Sequence, residues 1–143
     1  MNQTTRQQAM HALLQGLAED GRDYPLLQDL LEQQFQAALR HQSAPLAEAA
    51  EAIGTLVDQL EARRRLRLQL AQRLLGPQAA MAQVFALLKS GARDKAEADW
   101  RALEQRVLEC KRIGKRNSEL LLGQHTVMQR VLHGDEEPLY APA

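Results

Sequence analysis

The chain has 143 residues, enough for one domain with a core of its own. Its 18 Lys and Arg balance 18 Asp and Glu, so no net charge draws it toward nucleic acid or an anionic membrane. Aromatic residues make up only 3%, and the abundance of Leu, Ala, Gln, Glu and Arg favours helix over sheet.

Thr5, with Gln8 three residues on, reads as a capping box, and Met10, Leu13, Leu14 and Leu17 follow at helical spacing. Gly21 is expected to end this first helix. Asp23 and Pro25 then suit the cap and first turn of a second, with Leu27, Leu30, Leu31, Phe35, Ala38 and Leu39 on its apolar face. The segment 41–45, which contains Pro45, is expected to break it. A long third helix is predicted over 46–75, with a stripe of Leu46, Ala50, Ile53, Val57, Leu60, Leu68, Ala71 and Leu75. Gly76-Pro77 stops it.

A short segment follows with Met81, Val84, Phe85 and Leu88 on one side, ended by Ser90-Gly91. Asp94 with Glu97 reads as the capping pair of a last helix that runs to His133 and closes at Gly134. About 40 residues at 1.5 Å each make a rod of roughly 60 Å. The fold expected is all-α, an elongated antiparallel helical hairpin or coiled-coil-like bundle. In it the third helix packs antiparallel to the last. Residues 1–134 would form this single domain and 135–143 a flexible tail.

The last helix carries a heptad seam: Ala96, Trp100, Leu103, Val107, Cys110, Gly114, Asn117, Leu121, Gln124, Met128 and Val131. From Gly114 onward the seam turns partly polar, while Ile113, Leu120, Leu122, Val127 and Leu132 widen the apolar surface sideways. A surface wider than one seam has more than one partner to satisfy. One partner is a helix of the same chain. The other is either the N-terminal helix or a different molecule.

Catalytic patterns are missing from the sequence. His11, His41, His125 and His133 show no metal-ligand spacing, and Gly114 and Gly123 lie in a helical pattern instead of a phosphate-binding turn. Cys110 sits on the seam as a small apolar residue, and as the only cysteine it excludes an intramolecular disulfide. No cofactor or metal is implied, and the protein is not expected to be an enzyme. The run Arg63-Arg64-Arg65-Leu66-Arg67 is the densest charge feature, read as a solvated helix face with Glu61 paired to Arg65. Asn117 on the seam suits a register-setting polar contact. Neither a signal-peptide core nor an apolar run of about 20 residues is evident, so a soluble cytoplasmic protein is expected.

The segment Asn117-Ser118-Glu119-Leu120-Leu121-Leu122-Gly123-Gln124 resembles the Asn-x-x-Leu-Leu-x-Gly-Gln stretch of the FlgN family of flagellar export chaperones. Glu137-Pro138-Leu139-Tyr140 is similar to the family's tail, Leu60-Glu61-Ala62-Arg63-Arg64-Arg65-Leu66 to a stretch of its central helix, and Trp100 has a counterpart at the start of the final helix. The resemblance spans residues 46–140. The tail departs from the family in ending Ala-Pro-Ala where a Gly often follows the Tyr.

The resemblance implies a cytoplasmic chaperone for the hook-associated proteins FlgK and FlgL, delivered to the export gate protein FlhA, with no nucleic acid and no membrane insertion. A client site is expected at Ile113, Asn117, Leu120, Leu121, Gln124, Val127, Met128, Val131 and Leu132, where an amphipathic client helix would lie in a groove. By resemblance Leu139 and Tyr140 would dock to the export gate. Two other readings are a self-associating coiled-coil scaffold without a client, and an RNA or membrane-surface binder working through residues 63–67.

Overall fold

The computed structural model describes residues 2–133. They form α1 (Gln3–Leu39), α2 (Ser43–Leu75), α3 (Met81–Phe85) and α4 (Ser90–His133), and there is no strand among the described residues.

The two helices expected before residue 40 are one. Asn2 caps it in place of Thr5, its carboxamide oxygen accepting the Thr5 backbone N–H at 2.8 Å. Gly21 and Pro25 lie inside the helix. Pro25 offers no N–H to the Gly21 carbonyl and crowds it, a defect costing about 3 kcal/mol. Burial on both sides outweighs that cost. Leu13, Leu17 and Asp20 before the proline and Leu27 and Leu31 after it are all buried, at heptad spacing.

α1 and α2 form an antiparallel hairpin with a short turn. The Gln42 N–H donates to Ala37 O at 2.9 Å and the His41 N–H to Ala38 O at 3.2 Å, with His41 in the left-handed region at φ 52°. This is a Schellman closure with histidine where glycine is usual. Pro45, expected to break the chain, instead sits in the first turn of α2, where a missing N–H is harmless.

The buried face of α2 is Ala49, Leu56, Leu60, Leu70, Ala71 and Leu74, whereas Val57, Leu68 and Leu75 of the expected stripe are exposed. Two seam positions hold arginine. Arg63 and Arg67 turn inward onto Asp20, which is 1% exposed. The Arg63 guanidinium donates to Asp20 Oδ1 at 2.8 Å and to Asp23, and lies 3.4 Å from Glu19, while Arg67 donates to Asp20 Oδ2 at 2.7 Å. An ionic layer therefore interrupts the apolar seam between α1 and α2.

The third helix expected from sequence is α2, but it is not the main partner of the last helix, α4. α4 lies along α1 and runs parallel to it. The Cys110 thiol lies 3.8 Å from Tyr24 O, Asn117 Nδ2 donates to Leu31 O at 2.7 Å, and Gln124 Nε2 donates to Ala38 O at 2.8 Å. Each rung is offset by 86 residues and the rungs are one heptad apart. α2 and α4 thus run in opposite directions, with α1 the helix they share.

Ser90-Gly91 opens α4 instead of ending the segment before it. Asp94 lies within α4, and Glu97 accepts from Arg93 at 3.0 Å instead of capping. One core joins Leu13, Leu70, Leu74, Val84, Phe85 and Leu103. There Phe85 meets Trp100 edge-on at 6.2 Å, and the Arg67 guanidinium lies over the Trp100 ring at 5.5 Å. A second core joins Leu27, Leu31, Leu56, Leu60, Cys110 and Ile113. No helix among the described residues is long and apolar enough to cross a membrane.

Candidate functional site

The register of α4 on α1 decides where the last helix has a partner. An offset of 86 places Leu39, the last residue of α1, beside residue 125, whereas α4 continues to His133. The remaining 8 residues extend about 12 Å past the end of α1. No described residue covers their apolar side chains: Val127, Met128, Val131 and Leu132 are each more than half exposed, as is Leu122 one turn earlier.

The nine residues expected to bind a client divide at this boundary. Ile113 is fully buried in the second core, so it belongs to the chain's own packing. Asn117 is 2% exposed and fully bonded within the chain: its Nδ2 donates to Leu31 O and, at 2.8 Å, to Gln34 Oε1, while its Oδ1 accepts from Arg116 at 3.1 Å. Its neighbour Arg116 stacks on Phe35 at 3.6 Å and pairs with Glu32 at 3.2 Å.

Ile113 and Asn117 are therefore not surface contacts. Gln124 is half-buried and committed to Ala38 O. Leu120 and Leu121 are half-buried at the margin, and Val127, Met128, Val131 and Leu132 form the open part. Leu139 and Tyr140 lie outside the described residues.

The open part is concave on one side. A groove of about 630 Å³ runs between the hairpin turn and the end of α4, lined by His41, Leu120, Gly123, Gln124, Val127, Met128 and Val131, with Glu119 at its rim. Gly123 leaves its helix face bare, with nothing within 4 Å of where a Cβ would stand. Sequence reasoning missed His41, which reaches this groove because the left-handed turn carries it there. It also left out Leu122, although that residue belongs to the widened apolar surface.

The perturbed groups of the α1–α4 seam lie two heptads from this groove, at the Cys110–Tyr24 rung. Burial pushes the Cys110 thiol and the Tyr24 phenol above their ordinary values. No group of three or more His, Cys, Asp or Glu side chains that could hold a metal ion occurs among the described residues. The arginine run is largely spent on intramolecular pairs: Arg63 and Arg67 on α1, and Arg64 and Arg65 on Glu61 at 2.8 and 3.1 Å. Such an arrangement can bind an apolar helix face. It offers little to a phosphate backbone.

No protein-family model, curated protein or solved structure matches this chain.

Proposed function

We propose that the protein is a cytoplasmic flagellar export chaperone of the FlgN type. It holds a terminal helical segment of FlgK or FlgL against the free end of α4 and carries it to FlhA. The observation that supports this reading is the continuation of the α4 seam past the end of α1, where no described residue covers it. Residues 96–124 of the seam are satisfied by α1 and its neighbours, and Val127, Met128, Val131 and Leu132 continue the apolar surface into solvent. An amphipathic client helix would extend the α1 side of that seam, reading anchors at i, i+3, i+4 and i+7. Ordering a disordered client segment offsets part of the gain, which keeps affinity moderate and release possible.

The test is Val127→Asp with Val131→Asp, two exposed positions whose substitution leaves both cores intact. Calorimetry against a C-terminal FlgK fragment should show binding weakened by about 2 kcal/mol or more, since each lost anchor costs roughly 1–3 kcal/mol. Unchanged binding in this folded variant refutes the client site. A wild-type dimer that the same variant dissociates favours the self-associating scaffold. Tyr140→Ala should weaken binding to the FlhA cytoplasmic domain and spare FlgK binding. The opposite pattern refutes gate docking.

A further inference from the structure

A second concave surface lies on the opposite side of α1 from α4. The residues of α1 that hold α4, Tyr24, Leu31 and Ala38, occupy one face. At 100° per residue, Leu26, Leu30 and Gln33 fall on the other. Between that face and α2 runs a continuous groove formed by two hollows that share Leu30, Gln33, Glu48 and Ala52. Its floor is apolar, built from Leu26, Leu30, Ala52 and Leu56, and Leu26 is 54% exposed. It follows α1 from Leu26 to Ala37, about 16 Å or three helical turns.

The rim of the groove carries one sign of charge. Asp29, Glu48 and Glu51 line it, with Glu32 at one end, and no Lys, Arg or His among the described residues does. Glu32 is answered by Arg116. Asp29, Glu48 and Glu51 have no salt-bridge partner among the described residues, although the chain as a whole is neutral. An apolar floor with carboxylates on both walls complements a helix that has an apolar stripe flanked by Lys or Arg.

We infer that the α1–α2 groove is a second interaction surface, which takes a basic amphipathic helix of another protein. Leucine-type anchors at i, i+3 or i+4, and i+7 lie on Leu26, Leu30 and Ala52, and the flanking cations meet Asp29, Glu48 and Glu51. This surface shares no lining residue with the groove at the free end of α4.

The experiment uses the full chain and a labelled amphipathic peptide of Leu and Lys, three to four helical turns long, with its Leu/Glu counterpart as a control. Fluorescence anisotropy should show binding of the Lys peptide that weakens as salt rises, and little binding of the Glu peptide. Glu48→Lys with Glu51→Lys should reduce the affinity by more than about tenfold, because like charges now face each other across the groove. Asp94→Lys with Asp99→Lys, on the exposed surface of α4, makes the same change in net charge and should alter affinity by less than about twofold. Leu26→Gln keeps every charge and should also weaken binding, by removing an exposed anchor.

Equal losses in the two lysine variants would reduce the effect to net charge and overturn the assignment. So would an unchanged affinity in Leu26→Gln, or equal binding of the Glu peptide. A wild-type dimer that dissociates in Glu48→Lys with Glu51→Lys assigns the groove to a second copy and overturns it too.

Discussion

Replacing Asp20 with alanine should be among the most damaging single changes to the fold. Its side chain is 2% exposed and accepts from both Arg63 and Arg67, whose side chains are 16% and 12% exposed. Arg63 keeps Asp23 and Glu19 after the change, but Arg67 loses its carboxylate and retains only the face of Trp100. Removing one partner of a buried pair costs about 3–5 kcal/mol, because a desolvated charge is left without compensation. The low end applies here, since Arg63 stays partnered and Arg67 can tilt toward water, so the expected loss is about 3 kcal/mol. For a domain near this size it corresponds to a Tm about 6–12 °C lower.

Urea denaturation followed by far-UV circular dichroism measures the loss directly. The triple replacement Asp20→Leu, Arg63→Leu and Arg67→Met should recover most of it, because an apolar layer of similar volume needs no desolvated charge. A loss below about 1 kcal/mol in Asp20→Ala, the range of an exposed ion pair, would refute the ionic layer as described.

Asn117→Ala should cost about 1–3 kcal/mol of stability by deleting bonds to Leu31 O and Gln34, with client affinity unchanged in the folded fraction, as calorimetry can check. His41→Gly should raise stability by about 1 kcal/mol in the same denaturation assay, because a left-handed position costs a residue with a Cβ about that much. The Arg64 hydrogen bond first, with Arg65 behind it, holds Glu61 at about 2. A depressed folded-state value means that its contribution is complete above the ordinary carboxylate range and is lost as pH falls toward 2. Glu61→Gln should therefore lower stability slightly at neutral pH and flatten the acid limb below about pH 4.5 by the same small amount, because the pair is exposed.

The last helix was the most legible element, because its seam from Ala96 to Cys110 is apolar at every heptad position and holds no charge. The short segment around Val84 and Phe85 was legible for the same reason, being apolar on one side and bounded by Pro77 and Gly91. The seam of α2 was not. Its positions 63 and 67 hold arginine, so an all-apolar reading steps sideways onto Val57 and Leu68, which face water. Asp20 was hidden in the same way, since a buried aspartate shows its role only beside the two arginines that face it. α1 was cut in two because Gly21 and Pro25 are local helix-ending signals. The packing that overrides them involves α2 and α4, distant in sequence.

The candidate site was half legible for a related reason. The widening of apolar character after Gly114 points to α4, whose last turns are exposed, but the point where coverage ends depends on which helix covers it. Antiparallel pairing with α2 and parallel pairing with α1 are both compatible with the heptad pattern of α4. The choice rests partly on three rungs whose acceptors are the main-chain carbonyls of Tyr24, Leu31 and Ala38. A carbonyl leaves no trace in the residue alphabet, so only the donors, Asn117 and Gln124, were visible, and they look the same whether the acceptor is this chain or a client. Once the rungs fix the register, the end of α1 at Leu39 divides the nine residues: Ile113 and Asn117 belong to the packing of α4 on α1, and the apolar side chains from Val127 to Leu132 extend past it, covered by no described residue.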